Sequence, residues 1–260
     1  MPSLFKPLRI GISMAEVSVI RAGVFVAQPL AGATPAAVAE ALGLALDEAD
    51  VGRRAATIVL ADEWTRLFMV TPPRNVERMR DCEAAVALRF QSLYGEPCND
   101  WNVQADHDAA HVFLACAVPR ALRDTLLATC AARRLAVVAM TPQFVGSWNR
   151  WRRRLGEGAW LGVVHAGSLT LAATSGGRLA EVRRALIPPG ALRQRAWLND
   201  QLGREALRLG LPVPRGLWVC GDAPEAWLSE GDGAWIDCRR LVADAAGDHG
   251  ASFQLACGGA

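Results

Sequence analysis

The sequence predicts an α/β chain of two similar lobes facing a cleft. Three observations lead there. A three-strand meander followed by a helix occurs twice, about 150 residues apart. Short period-2 apolar runs alternate with helical ones between the repeats. With 260 residues, 52% hydrophobic and 21% charged, the chain has the apolar content for a substantial core. The expected lobes are residues 1–155 and 156–260. The second is shorter and ends in "GDHGASFQLACGGA", whose lack of periodicity reads as a flexible tail or an extended segment added to a sheet edge.

In the first meander, Ile10 and Ile12, Val17 and Val19, and Val24 and Val26 mark three strands, with turns near Met14–Glu16 and at Ala22–Gly23. A helix follows, with Thr34 as N-cap and Pro35 at its first position. Strands are expected at "AATIVLA" and "WTRLFMVTP". Next comes a helix with Val76, Met79, Val86, Phe90 and Leu93 on one face and Gly95 as its stop. Strands around "DWNVQAD" and "HVFLACAV", a helix over 120–134, the strand "LAVVAM" and a helix from about Pro142 to Leu155 complete the lobe. The second lobe restarts with "GAWLGVVHA", "SLTLAAT" and "RLAEVRRAL", turning at Gly176–Gly177. A helix over about 192–209 follows, then the strand "GLWVC", a Gly221–Asp222 loop and a short helix from about Pro224.

Composition excludes several classes. A formal charge of +2 is too small for a nucleic-acid or membrane-charge argument. No apolar run approaches the ~20 residues needed to cross a bilayer, and Glu16 interrupts any signal-peptide core, so a cytoplasmic chain is expected. The seven cysteines are scattered and never form C-x-x-C, which fits reduced thiols. There is no Walker loop, G-x-S-x-G or dinucleotide fingerprint to support an unrelated α/β enzyme.

Through "RIGISMAEVSVI", "TIVLADEWTRLFMVTPP", the second meander and the loop "WVCGDAP", the chain resembles the actin-like ATPase superfamily, whose fold is ribonuclease H-like. Within it, the chain is similar to the pilus-assembly PilM family and the cytoplasmic part of the secretion GspL family. The resemblance covers most of the chain. It implies Mg-ATP between the lobes, phosphates against the two meander turns, acidic residues holding magnesium and a late glycine-bearing loop over the adenosine. It also implies a place at the cytoplasmic face of the inner membrane. There a PilM-like protein binds the N-terminal segment of a bitopic, PilN-like partner on a platform for pilus-like fibres.

The family's nucleotide positions map onto Gly11, Ser13, Glu16, His165, Gly167, Ser168, Gly221 and Asp222. Ser13 and His165 stand where the family has aspartates, and Met14 and Ala15 stand where glycines would let a phosphate approach. Magnesium prefers carboxylate oxygens, which neither substitute supplies. The expectation is therefore a vestigial pocket with no cofactor and no catalysis, in a scaffold for a bitopic inner-membrane partner. A homo-oligomer is compatible with this, and nucleic-acid binding is not expected. The alternative is an active ATPase or small-molecule kinase binding Mg-ATP between the lobes.

Other constellations carry less. His107 and His111, four apart with Asp106 and Asp108 nearby, fall between two strands and read as a hairpin loop, not a metal site. Arg150, Arg152, Arg153 and Arg154, and separately Arg183–Arg184, read as solvated faces or as contacts for an anionic partner. Trp148 and Trp151 read as core. Nine tryptophans exceed what a core usually hides, and Trp64, Trp101 and Trp227, beside turns and strand ends, are the candidate partner anchors.

Overall fold

In the computed structural model, which describes residues 7–74, 76–228, 236–241 and 251–257, the alternating apolar start forms β1 (Leu8–Ile12), β2 (Glu16–Arg21) and β3 (Val24–Pro29). The β2–β3 hairpin turns at Ala22 and Gly23, whose φ values of 48° and 91° suit a two-residue connection. Thr34 Oγ1 accepts from Ala37 N to start α1 (Pro35–Glu48), with Pro35 in the first turn. There follow β4 (Arg54–Leu60), β5 (Arg66–Val70) and α2 (Met79–Tyr94), which ends at left-handed Gly95. Then come β6 (Trp101–Ala105), β7 (Phe113–Pro119), α3 (Arg120–Ala132), β8 (Leu135–Pro142) and α4 (Gln143–Trp151). The second half runs β9 (Ala159–His165), β10 (Ser168–Ser175), β11 (Arg178–Leu186), α5 (Arg195–Leu209), β12 (Gly216–Gly221), α6 (Glu225–Leu228), β13 (Asp237–Arg240) and α7 (Ala251–Ala256).

The two large sheets share one strand order. The first is β3-β2-β1-β4-β8 and the second β11-β10-β9-β12-β13. In each the leading strand is central, antiparallel to the next strand and parallel to the strand that follows the helix. A third, antiparallel sheet, β5-β7-β6, projects from the first lobe. Alternation assigns its faces: Phe68, Val70, Phe113 and Ala115 pack under α2, while Met69 and Leu114 face the second lobe. β7 is apolar almost throughout because both of its faces are covered.

Two expectations are corrected. On α2, Cys82, Val86 and Phe90 are buried, but Met79 and Leu93 are 66% and 43% exposed, because the narrow three-stranded sheet beneath covers only the middle of the helix. The end of the chain is neither a flexible tail nor an edge strand where it is described. Residues 251–256 form α7, which returns to the first lobe and packs across β1 and β2. Ser18 Oγ donates to Ser252 O at 3.0 Å, and Phe253 meets Phe25 edge-on.

α4 ties the lobes together. It leaves β8 of the first sheet and lays Phe144 and Trp151 against Leu161, Val163, Ala172 and Cys220 of the second. Its first turn has no capping side chain of its own, since Pro142 precedes it. The cap comes from Asp62, just beyond β4: a carboxylate oxygen accepts from Phe144 N at 2.9 Å. The Thr170 hydroxyl of β10 donates to the same carboxyl from the other lobe. Asp62 is 5% exposed, and burial pushes its pKa from 3.8 up to about 7 despite both hydrogen bonds. Desolvation thus outweighs the helix N-terminus, which favours the anion by up to about 2 kcal/mol.

This position predicts a pH dependence. Unfolded Asp62 ionises near pH 4, whereas folded Asp62 keeps its proton to about pH 7. The folded state therefore holds the extra proton across that window, and stability falls as pH rises through it, by roughly 1.4 kcal/mol for each pH step between the two values. Asp62→Asn retains an oxygen for Phe144 N and cannot ionise. Urea unfolding between pH 4 and 8 should show the wild type losing a few kcal/mol of stability that the variant keeps.

Candidate functional site

Both hairpins that open the large sheets turn toward the junction of the lobes, and the chain engages their amides itself. In the β1–β2 turn, Ser13 Oγ accepts from Ala15 N at 3.1 Å and Glu16 N at 2.9 Å, and donates to Glu16 O. Ser13 is 3% exposed, so the local hydroxyl has replaced solvent for those donors. Trp64 Nε1 donates to Ser13 O at 2.9 Å and pins the turn from the far side.

The β9–β10 turn is built differently to the same effect. Ala166 and Gly167 take φ of 46° and 77°, the two-residue geometry that brings His165 opposite Ser168. Asp222 Oδ2 accepts from Ala166 N at 3.0 Å, and Asp222 N donates to Val164 O. Gly221 is required at this spot. Its φ is 82°, and a Cβ would lie 2.0 Å from Val164 O, because β12 presses directly on β9. Burial raises the Asp222 carboxyl above the ordinary carboxylate range; nearby His165 and the bond from Ala166 N act in the opposite direction. The charge of Glu63, beside Asp62, adds a smaller push in the same direction as burial.

His165 and Ser168 lie on the sheet face that meets α4, together with Thr170. Both are buried, and neither the His165 ring nitrogens nor Ser168 Oγ has a hydrogen-bond partner among the described residues. Gln143 and Ser147 of α4 are buried in the same condition.

The sequence-derived positions therefore divide. Ser13, Glu16, His165, Gly167, Ser168, Gly221 and Asp222 do belong to the two turns and the strand end beside them. Gly11 serves packing instead: a Cβ there would meet Ser18 Oγ at 2.6 Å and Ala256 N at 2.9 Å, so the glycine makes room for α7. Two proposed anchors are corrected. Trp227 is fully buried, stacked on Trp197 with Nε1 bonded to Ala191 O, and Trp64 is 9% exposed beneath the first turn. Neither reaches solvent as an anchor must. Trp101 is half-buried, leaning on Phe90 with the Arg66 guanidinium over its ring. Asp62, Glu63 and Gln143 were missed; the acidic pair in "LADEW", directly after a buried strand, was the available signal.

The remaining candidates resolve simply. Asp108 accepts from Ala110 N and His111 N in the β6–β7 loop and pairs with His111 and Arg178; the bond from Ala110 N, followed by those with His111, holds its pKa down. No group of three potential metal ligands occurs among the described residues. Arg150 and Arg154 stack on Trp151, itself 2% exposed. All seven cysteines are free. No helix among the described residues is long and apolar enough to cross a membrane.

A groove of about 410 Å³ lies between the third sheet and β8. Asn102 and Gln104 of β6 form one wall, Met140 and Thr141 of β8 the other, with Cys116 and Val145 also lining it. β6 and β8 are each the edge strand of their sheet.

No family model and no curated protein matches the sequence. Solved structures do. The chain is similar to a PilM–PilN type IV pilus biogenesis complex, with TM-score 0.69, 14% identity and coverage of 99% of this chain and 98% of that one. It is also similar to the cytoplasmic domain of EpsL, an inner-membrane component of the type II secretion system of Vibrio cholerae, with TM-score 0.59, 15% identity, and coverage of 96% and 92%. A third is a Bacteroides thetaiotaomicron protein with actin-like ATPase fold and unknown function, with TM-score 0.57, 12% identity and 90% coverage of each. With its duplicated sheet order, the chain has the two-lobed actin-like fold that these structures share.

Proposed function

We propose that this chain is a non-catalytic actin-like scaffold of an inner-membrane assembly platform of the type IV pilus or type II secretion kind. It works at the cytoplasmic face of the membrane and receives the cytoplasmic segment of a bitopic partner. One observation carries the reading: the turn amides that could hold a phosphate are bonded to Ser13 Oγ and Asp222 Oδ2. A triphosphate would have to break those bonds and leave the buried Ser13 hydroxyl and the Asp222 carboxyl without their partners, at about 1–3 kcal/mol for each group left unpaired. Magnesium would meet a hydroxyl and an imidazole at the two positions where carboxylates are needed. The residues present do not fit Mg-ATP.

The fold is complete without that chemistry, and the groove between β6 and β8 is its binding surface. Its walls mix apolar side chains with Asn102, Gln104 and Thr141, which suits an extended segment. Edge strands offer unpaired backbone groups, so such a segment gains main-chain hydrogen bonds as well as side-chain pockets. Likeness to a complex of PilM with PilN supports this type of partner.

The test is a calorimetric titration with a synthetic peptide of the cytoplasmic segment of a candidate single-span membrane protein of the PilN kind. Micromolar binding is expected. Gln104→Arg, at an exposed position on the edge strand β6, should weaken it at least tenfold, about 1.4 kcal/mol, with little change in thermal midpoint. Absence of binding, or equal affinity in the variant, contradicts the assignment.

A further inference from the structure

A second cavity, of about 420 Å³, opens between the third sheet and the edge of the second lobe, away from the groove just described. Its wall gathers arginines from four elements: Arg66 of β5, Arg89 of α2, Arg183 and Arg184 of β11, and Arg208 of α5. Two of these have carboxylate neighbours. Arg66 lies 3.8 Å from Glu96 with its guanidinium over Tyr94, and Arg208 lies 2.9 Å from Glu205 and 3.9 Å from Glu181. Arg89, Arg183 and Arg184 have no carboxylate at ion-pair distance among the described residues. Arg89 donates only to Met69 O, at 3.3 Å.

Like charges brought together from both lobes oppose folding unless an anion joins them. Glu181 is the one lining carboxylate besides Asp62, and it is turned to Val182 N and Arg208. Asp62, at the floor, keeps its proton to about pH 7 and opposes an anion only weakly. Arg184 sits directly across the β10–β11 ladder from Thr170, so the floor of the cavity is the same contact that joins the lobes.

We propose that this cavity binds a small organic phosphate, with the Arg184 and Arg89 guanidiniums on its phosphate oxygens, Arg183 at its rim from the opposite face of β11, and Tyr94 and Leu93 against its organic part. Planar guanidiniums match phosphate oxygens in paired hydrogen bonds. The volume is that of a small-molecule site, and a concave wall drawn from two lobes suits a compact ligand better than a flat bilayer. A ligand held there bridges β11 and α5 to β5 and α2. The site is independent of the groove and of the scaffold reading.

Sodium pyrophosphate in magnesium-free, low-salt buffer is the probe, titrated calorimetrically into the full chain. Flotation with phosphatidylglycerol vesicles runs in parallel to separate a free phosphate from a lipid headgroup. Saturable pyrophosphate binding is expected, weakened at least tenfold both in Arg183→Ala/Arg184→Ala and in Arg89→Ala on the opposite wall, and unchanged in Ser13→Ala. These arginines are exposed, so circular dichroism should report native folding in each variant. No saturable heat up to about 1 mM pyrophosphate, a range that still reports contacts of some 4 kcal/mol, overturns the proposal. So does undiminished affinity in both arginine variants. Vesicle binding without pyrophosphate binding assigns the arginines to a membrane surface and overturns it equally.

Discussion

The Asp62 carboxyl joins three parts of the molecule that sequence order keeps apart. It extends from the end of β4, caps α4 through Phe144 N, and takes the Thr170 hydroxyl of the second lobe. A helix start buried against another lobe must find partners for its amides, and here a proline at the cap position supplies none. Without Asp62 the first turn of α4 would leave a buried donor unpaired, at about 1–3 kcal/mol. The apolar contacts of Phe144 and Trp151 depend on that helix keeping its place, and those contacts are what hold the two sheets together. Protonation lets the carboxyl stay in this apolar setting without carrying a full buried charge.

With the lobes fixed by packing, the hairpin turns are held without a ligand spanning them. Each is stabilised from inside by a side chain that takes its amides, a hydroxyl in one and a carboxylate in the other. What sets the fold is strand order and sheet packing, so it does not rest on phosphate chemistry at these turns. What remains exposed is the groove between two edge strands and the arginine-lined cavity on the opposite flank.

Much of this was legible in the residues. Period-2 runs, the Ala22–Gly23 and Gly176–Gly177 turns, the Thr34–Pro35 helix start and the Gly95 stop are local signals, and each element they mark is present. The places of Ser13 and His165 could also be read, each at the end of the first strand of its meander. Asp62 could not be singled out, because its partners lie 82 and 108 positions away in the chain. The short α7 has little periodicity to display, and its docking rests on long-range contacts with Ser18, Phe25 and the space beside Gly11. Trp64 and Trp227 adjoin turns in sequence, yet the chain folds back over both. Proximity to a turn does not measure exposure.

The central claim is that this actin-like cleft is closed to nucleotide by its own side chains. Isothermal titration of the purified chain with Mg-ATP tests it most directly. The account predicts no saturable heat at micromolar concentrations that is lost when magnesium is withdrawn. Tight, magnesium-dependent binding abolished by Asp222→Ala would contradict it.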